Sequence, residues 1–334
     1  MANSAFVTGG TGFLGGHLIN QLIQAGWQVT ALHRPGGDRE KLLALAAQPV
    51  EADMHDPAQV ADVMPENIDA VFHLAGNTSM WRRQRRQQER DNIQGTRAMV
   101  EAALERNARR FIHTSSISAW GIQQQPINED TPSNAEHDWI TYNRSKYLAE
   151  QEVRRGIEAG LDAVILNPCG IIGAGDTHNW SQLIALIDQG KLPGVPPGAG
   201  SFCDVREVAS AHISAWQNGR CGQNYILAGV NASFLEVARI VGHLLGRKAP
   251  RRALPTALLR IAGRVYPLAS IITGKEPSLT PEKVAMVCNR VVADSARARQ
   301  ELGFRDDIPL ESMLRECIDW MRMEGMLKNR NSSD

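Results

Sequence analysis

The chain has no apolar run that approaches the length needed to span a bilayer, and neither sign of charge prevails. Its 36 basic and 36 acidic residues cancel, so no global field draws it to nucleic acid or to an anionic membrane. Cysteine is sparse: five residues, an odd number without CxxC spacing, argue against a disulfide framework and for a reducing compartment. The nine histidines show neither HxxH nor HExxH spacing, so no metal site is expected. The start, Met1-Ala2-Asn3-Ser4, lacks the basic segment of a secretory leader. These absences predict a cytoplasmic protein with no metal, nucleic-acid or membrane partner.

What is present begins at Ala5. The stretch Ala5-Phe6-Val7-Thr8-Gly9-Gly10-Thr11-Gly12-Phe13-Leu14-Gly15 runs an apolar strand into glycines three apart, and a helical pattern follows at Leu18, Ile19, Leu22 and Ile23. Each glycine has its own task. Gly9 allows a tight turn, Gly12 lets backbone approach a pyrophosphate, and Gly15 lets the helix lie close to the strand. A helix start there presents unpaired N–H groups to phosphate. With the next strand at Gln28–Leu32, the unit is βαβ and reads as a dinucleotide site.

Strand-like runs recur at 49–52, 70–74, 110–114 and 163–166, separated by helical patterns at 40–47, 57–64, 92–106 and 139–159. That alternation predicts an α/β fold with a doubly wound parallel sheet. Asp56-Pro57 reads as a helix cap followed by proline in the first turn. After about residue 168 glycine and proline become dense, and helical patterns return at 235–245, 281–287 and 310–323. A Rossmann domain is therefore expected over residues 1–168, with about 204–228 returning to it, and a smaller mixed substrate lobe over 169–334. Trp180, Phe202, Leu254, Leu258, Leu259, Ile261, Tyr266 and Leu268 are read mainly as lobe core, and Lys328–Asp334 as a frayed tail.

The second strand ends Leu32-His33-Arg34-Pro35 without the acid that would accept a ribose hydroxyl. Arg34 instead offers a fork to a 2′-phosphate, which favours NADP over NAD. Asp53, after the third strand, could reach an adenine amino group.

Tyr142 and Lys146 stand four apart in a helical pattern, on one face. Free tyrosine titrates near pH ~10, and a nearby cation favours its phenolate. The fifth strand ends Thr114-Ser115-Ser116, where substrates dock on such a sheet. A serine hydroxyl there could orient a carbonyl oxygen.

These motifs together resemble the extended short-chain dehydrogenase/reductase superfamily, also known as the NAD-dependent epimerase/dehydratase family. The resemblance continues through Asn92-Ile93-Gln94-Gly95-Thr96, Asn167-Pro168, Phe202–Ala209 and Ala298–Phe304. It is greatest to the dihydroflavonol-4-reductase-like and 3β-hydroxysteroid-dehydrogenase-like branch. It implies Tyr142 as general acid/base, Lys146 as its pKa-lowering and ribose-binding partner, and Ser116 as the carbonyl-orienting hydroxyl. It also implies that Thr8, Gly9, Thr11, Gly12, Phe13, Leu14, Gly15, Arg34, Asp53, Met54, Leu74, Ala75, Gly76, Thr114, Pro168 and Ile171 lie along the cofactor with Tyr142 and Lys146. The helices at 92–106 and 142–159 resemble those through which members form homodimers.

The departures choose among relatives. Ser116 is followed by Ile117-Ser118-Ala119 rather than the acid pair of sugar-nucleotide dehydratases, and Gly170 and Gly200 stand where epimerases place asparagine and arginine. The resemblance thus implies a carbonyl reductase, or the reverse alcohol dehydrogenase, acting on a small, largely apolar substrate. The alternatives are a nucleotide-sugar epimerase and, from another class, a non-catalytic NADP-binding redox sensor. Trp81–Arg86, a basic run with one aromatic, reads as a solvated helix or lid segment.

Overall fold

The structure is a computed structural model, and it describes residues 2–273 and 276–327; the tail Lys328–Asp334 lies outside them. The first half contains β1 (Ser4–Thr8), α1 (Phe13–Gln24), β2 (Gln28–His33), α2 (Arg39–Ala44), β3 (Gln48–Glu51), α3 (Pro57–Val63) and β4 (Ala70–His73). Next come α4 (Arg85–Glu89), a π-helical turn at Arg90–Gln94, α5 (Gly95–Glu105), β5 (Phe111–Thr114), α6 (Thr141–Glu158) and β6 (Ala163–Pro168). The second half contains β7 (Gly170–Ile172), α7 (Trp180–Asp188), β8 (Ala199–Asp204), α8 (Val205–Asn218), β9 (Asn224–Leu227), β10 (Val230–Ser233) and α9 (Phe234–Leu245). It ends with α10 (Thr256–Thr273), α11 (Pro281–Val287), α12 (Ala296–Leu302) and α13 (Leu310–Met323).

Seven strands form one parallel sheet in the order β3-β2-β1-β4-β5-β6-β9. Side chains alternate across a strand, and here both faces are buried. Ala5, Val7, Ala70, Phe72, Val164 and Leu166 join one core with Leu18, Leu22, Val208 and Ala215 from α1 and α8. Phe6, Val71, Ala163 and Ile165 join the other with Val60, Met99, Val100 and Val153 from α3, α5 and α6. The fold is therefore doubly wound, and all carboxyl ends of the strands open on one edge. Asp56 caps α3 by accepting from the N–H groups of Ala58 and Gln59, with Pro57 in the first turn, as the sequence predicts.

A smaller mixed sheet, β10-β8-β7, carries a separate core with α7, α9 and α13. Two of its strands arise in the glycine-dense segments. Ile172 of β7 and Phe202 of its neighbour β8, both fully buried, supply the apolar content that the glycine count concealed. The helix expected to reach Ala47 stops at Ala44, because Ala46 adopts a left-handed φ of 58°. The lobe-core reading needs correction at α10: Leu259 is buried, but Leu258, Ile261 and Tyr266 face outward at 52 %, 62 % and 48 % exposure. Among the described residues no helix is long and apolar enough to cross a membrane.

Candidate active site

The glycine turn sits where β1 meets α1 at the centre of the sheet. Gly9 has φ of 73°, and a Cβ there would lie 2.8 Å from the backbone nitrogen of Ala75, so the Leu74–Ala75 strand end packs directly on the turn. A Cβ at Gly15 would lie 2.2 Å from the Gly9 carbonyl oxygen, which is how closely the helix approaches. At Gly12 the same atom would meet only the Gly9 oxygen, at 3.1 Å, and otherwise open space. No side chain caps α1, and its first turn contains no acid. The Gly12 N–H donates to the Gly9 carbonyl at 2.9 Å, so the N–H groups of Phe13 and Leu14, with the positive dipole end, are left for an anion, a cradle that suits a pyrophosphate.

Below the turn runs a buried polar chain of fixed direction. Thr96 donates to the Asn92 carbonyl at 2.7 Å, so its hydroxyl oxygen accepts from His73 Nε2 at 3.0 Å. His73 Nδ1 then accepts from Thr8, 2.8 Å away, and the Thr8 oxygen accepts from the Ala75 N–H at 3.2 Å. That order requires neutral imidazole. Burial, with the Lys146 charge in support, pushes His73 down to about 3.

At the neighbouring edge Arg34 is exposed and, among the described residues, holds no ion pair. Asp38, the next acid along, is committed to capping α2 through the Lys41 N–H. Lys41 Nζ donates to the Thr11 carbonyl at 2.8 Å, a second cation beside the glycine turn that the sequence alone did not reveal. Asp53 accepts from the N–H and ring of His55 and from Arg90, and Met54 packs against Gly95. Pro168 ends β6 fully buried, and Ile171 packs on the core beneath α1.

The carboxyl end of β5 separates two adjacent serines. Ser115 donates to Glu150 at 2.5 Å, and Glu150 also accepts from Asn167 and Asn224 at 2.7 and 3.0 Å. Ser116 faces the other way, toward Tyr142. Burial raises the Tyr142 phenol above its ordinary value, and the Ser116 hydroxyl pulls in the opposite direction. Lys146 Nζ donates to the Thr114 carbonyl at 2.8 Å, beside Gly76, and burial lowers it to about 8 while the Glu150 charge opposes. The geometry thus brings Ser116, Tyr142 and Lys146 to one strand end and assigns Ser115 to a structural network.

Two supporting residues were not singled out by sequence reasoning. Glu150 follows Tyr142 and Lys146 at the same four-residue spacing, a signal available in the chain. Asn92 lies in the π-helical turn, where its amide donates to Ser145 at 2.9 Å and to the Asn77 carbonyl at 3.0 Å. It thereby ties α6 to the loop after β4.

A small recess opens beside Tyr142, lined by Ser79, Met80, Trp81, Ile140, Thr141 and Glu282, with about 10 Å³ of free space. That is room for roughly one water. Glu282 is buried; one oxygen accepts from Arg82 at 2.7 Å and the other has no partner among the described residues. The basic run is thus drawn to acids, Arg82 to Glu282 and Arg85 to Glu89. Arg206 is bound by Asp204 and Glu316. Burial raises Cys169 to about 12 and Cys203 well above its ordinary range, so neither thiol is reactive.

The model of the NAD-dependent epimerase/dehydratase family matches residues 5–228, and the chain belongs to that family. Its members' names make it an NAD(P)-dependent oxidoreductase. A Synechocystis homologue named for dihydroflavonol 4-reductase is 30 % identical over 99 % of this chain and 98 % of that one. The crystal structure of gox2253 is 31 % identical, with a TM-score of 0.85 over 98 % of this chain and 100 % of that one. UDP-glucose 4-epimerase from Bifidobacterium longum, solved with NAD+ and UDP, shares the fold at 20 % identity, with a TM-score of 0.76 over 97 % and 99 %.

Proposed function

We propose that the protein is an NADPH-dependent carbonyl reductase, or the reverse alcohol dehydrogenase, acting on a small and largely apolar substrate. The observation that carries this reading is the convergence of Ser116, Tyr142 and Lys146 at the end of β5, beside a glycine turn shaped for a dinucleotide.

When bound, the dinucleotide would supply the hydride. The turn at Gly9–Gly15 and the open start of α1 would hold its phosphates, and Arg34 with Lys41 would meet a 2′-phosphate. Lys146 would hold the ribose. Ser116 would donate to the carbonyl oxygen and align it with the Tyr142 phenol. Tyr142 would give that oxygen its proton in reduction and take it back in oxidation. Burial holds the phenol protonated before substrate arrives, which suits a proton donor. The ammonium of Lys146, brought against a ribose and the phenolate, would stabilise the charge left after transfer.

Two observations support a reductase over an epimerase. Arg206 is neutralised by two carboxylates and is not free to bind a sugar diphosphate. Gly170 is packed against the Phe202 ring and offers no donor. We also propose a homodimer formed through α5 and α6, which pack together through the Arg97–Glu152 pair at 3.0 Å.

The test is a screen of NADPH consumption over ketones and aldehydes, with UDP-sugars included. Reduction of an apolar carbonyl compound is expected. Epimerisation of a UDP-sugar without net cofactor consumption would replace the reading. Tight NADPH binding with no turnover across the panel would point to a sensor.

A further inference from the structure

The chain's neutral charge balance conceals a strong local excess. Residues 237–273 contain no aspartate or glutamate and seven arginines and lysines, from Arg239 to Arg264. Five of these, Lys248, Arg251, Arg252, Arg260 and Arg264, are exposed and hold no ion pair among the described residues. The same segment contains α10, which carries four of the nine exposed large apolar side chains described: Leu258, Ile261, Val265 and Tyr266, at 52 %, 62 %, 53 % and 48 % exposure.

Helical geometry sorts these residues into stripes. Leu258, Ile261 and Val265, spaced three and four apart, form one outward ridge, and Arg260 and Arg264, four apart, run alongside it. Leu259 and Gly263 lie on the opposite side. Leu259 is buried, and a Cβ at Gly263 would meet Val284 of α11 at 2.8 Å, so that side is the packed one. An apolar ridge flanked by cations, on a helix already anchored by its back, is the pattern of a helix that lies in a membrane interface.

We propose that α10 docks this protein on an anionic lipid bilayer, with Leu258, Ile261 and Val265 entering the acyl boundary and the flanking arginines meeting lipid phosphates. A second copy of the chain is a poor occupant for this face. A two-fold contact through α10 would place the same acid-free helix against itself, cation against cation. A bilayer supplies both the missing negative charge and the apolar phase.

The docking face also adjoins the site. Behind α10, α11 bears Glu282, which lines the recess at Tyr142, and Thr280 is bonded to the Met80 carbonyl at 2.9 Å. Docking through α10 would therefore bring the recess at Tyr142 near the bilayer surface, where an apolar carbonyl compound would be concentrated. That consequence rests on the reductase reading; the docking does not.

The full chain would be sedimented with phosphatidylglycerol-containing vesicles and with pure phosphatidylcholine vesicles, alongside Leu258→Asp/Ile261→Asp and Arg260→Glu/Arg264→Glu variants. These positions are exposed, so circular dichroism should show native folds. Expected is partitioning at least about tenfold stronger onto the anionic vesicles, lost in both variants and weakened by salt. Wild-type protein left in the supernatant, equal binding to both vesicle types, or variants that bind as well as wild type would overturn the proposal. So would a dimer in solution that both variants dissociate, because the face would then belong to a second copy.

Discussion

Three fully buried histidines should make this fold sensitive to mild acid. His73 is pushed down to about 3, His212 to about 4, and His113 well below its ordinary value, each chiefly by burial. In the unfolded chain such rings titrate near pH ~6.5. As pH falls below that value, the unfolded state takes up protons that the native state refuses, so stability declines with falling pH until the native values are reached. Between pH 7 and 5 the linkage amounts to about 2 kcal/mol for each of His73 and His212, roughly 4 kcal/mol for the two, and His113 acts in the same direction. That is comparable with the whole stability of a marginal domain. Asp53, Glu152, Glu236 and Glu301 are held below their ordinary values, and their contributions fade only at lower pH. Glu207, raised mainly by burial, opposes the histidines slightly. Lys146, lowered to about 8, matters only at alkaline pH, where stability should rise between that value and the ordinary lysine range. Urea denaturation at pH 7, 6 and 5 reads the effect. His113, whose ring nitrogens both lack partners among the described residues, offers a control. His113→Phe should reduce the acid-induced loss. Stabilities at pH 7 and 5 within about 1 kcal/mol of each other, or an unchanged loss in His113→Phe, would refute the reasoning.

Other predictions concern the cofactor side. Gly15→Ala would force a methyl to within 2.2 Å of the Gly9 carbonyl, so the turn must move. A loss of roughly 1–3 kcal/mol of stability is expected, together with weakened dinucleotide binding by fluorescence titration. Arg34→Asp, alone and with Lys41→Ala, should shift the ratio of NADPH to NADH efficiency toward NADH by at least about tenfold, since each removes a cation from the phosphate edge. An unchanged ratio in the double variant would remove both from cofactor choice.

Much of this was legible in the chain. The alternation of Ala5 and Val7 with Phe6 has the period of a strand buried on both faces, and the glycines at 9 and 15 stand where neighbouring backbone leaves no room for a side chain. Tyr142 and Lys146 announce themselves by spacing. Ser115 and Ser116, adjacent just past the end of β5, differ only in which way they point, which spacing alone does not decide. The structure separates them through Glu150. Lys41 was invisible because its contact with Thr11 spans 30 positions. The outward ridge of α10 was misread as core because amphipathic spacing reports a helix face without saying what covers it.

The Tyr142 phenol is the proposed proton carrier. The direct measurement is Tyr142→Phe assayed with NADPH and the best carbonyl substrate from the screen, beside an equilibrium titration of NADPH binding. The account predicts cofactor affinity within about twofold of wild type and turnover reduced by roughly 10²–10⁴. Wild-type turnover in that variant would contradict it.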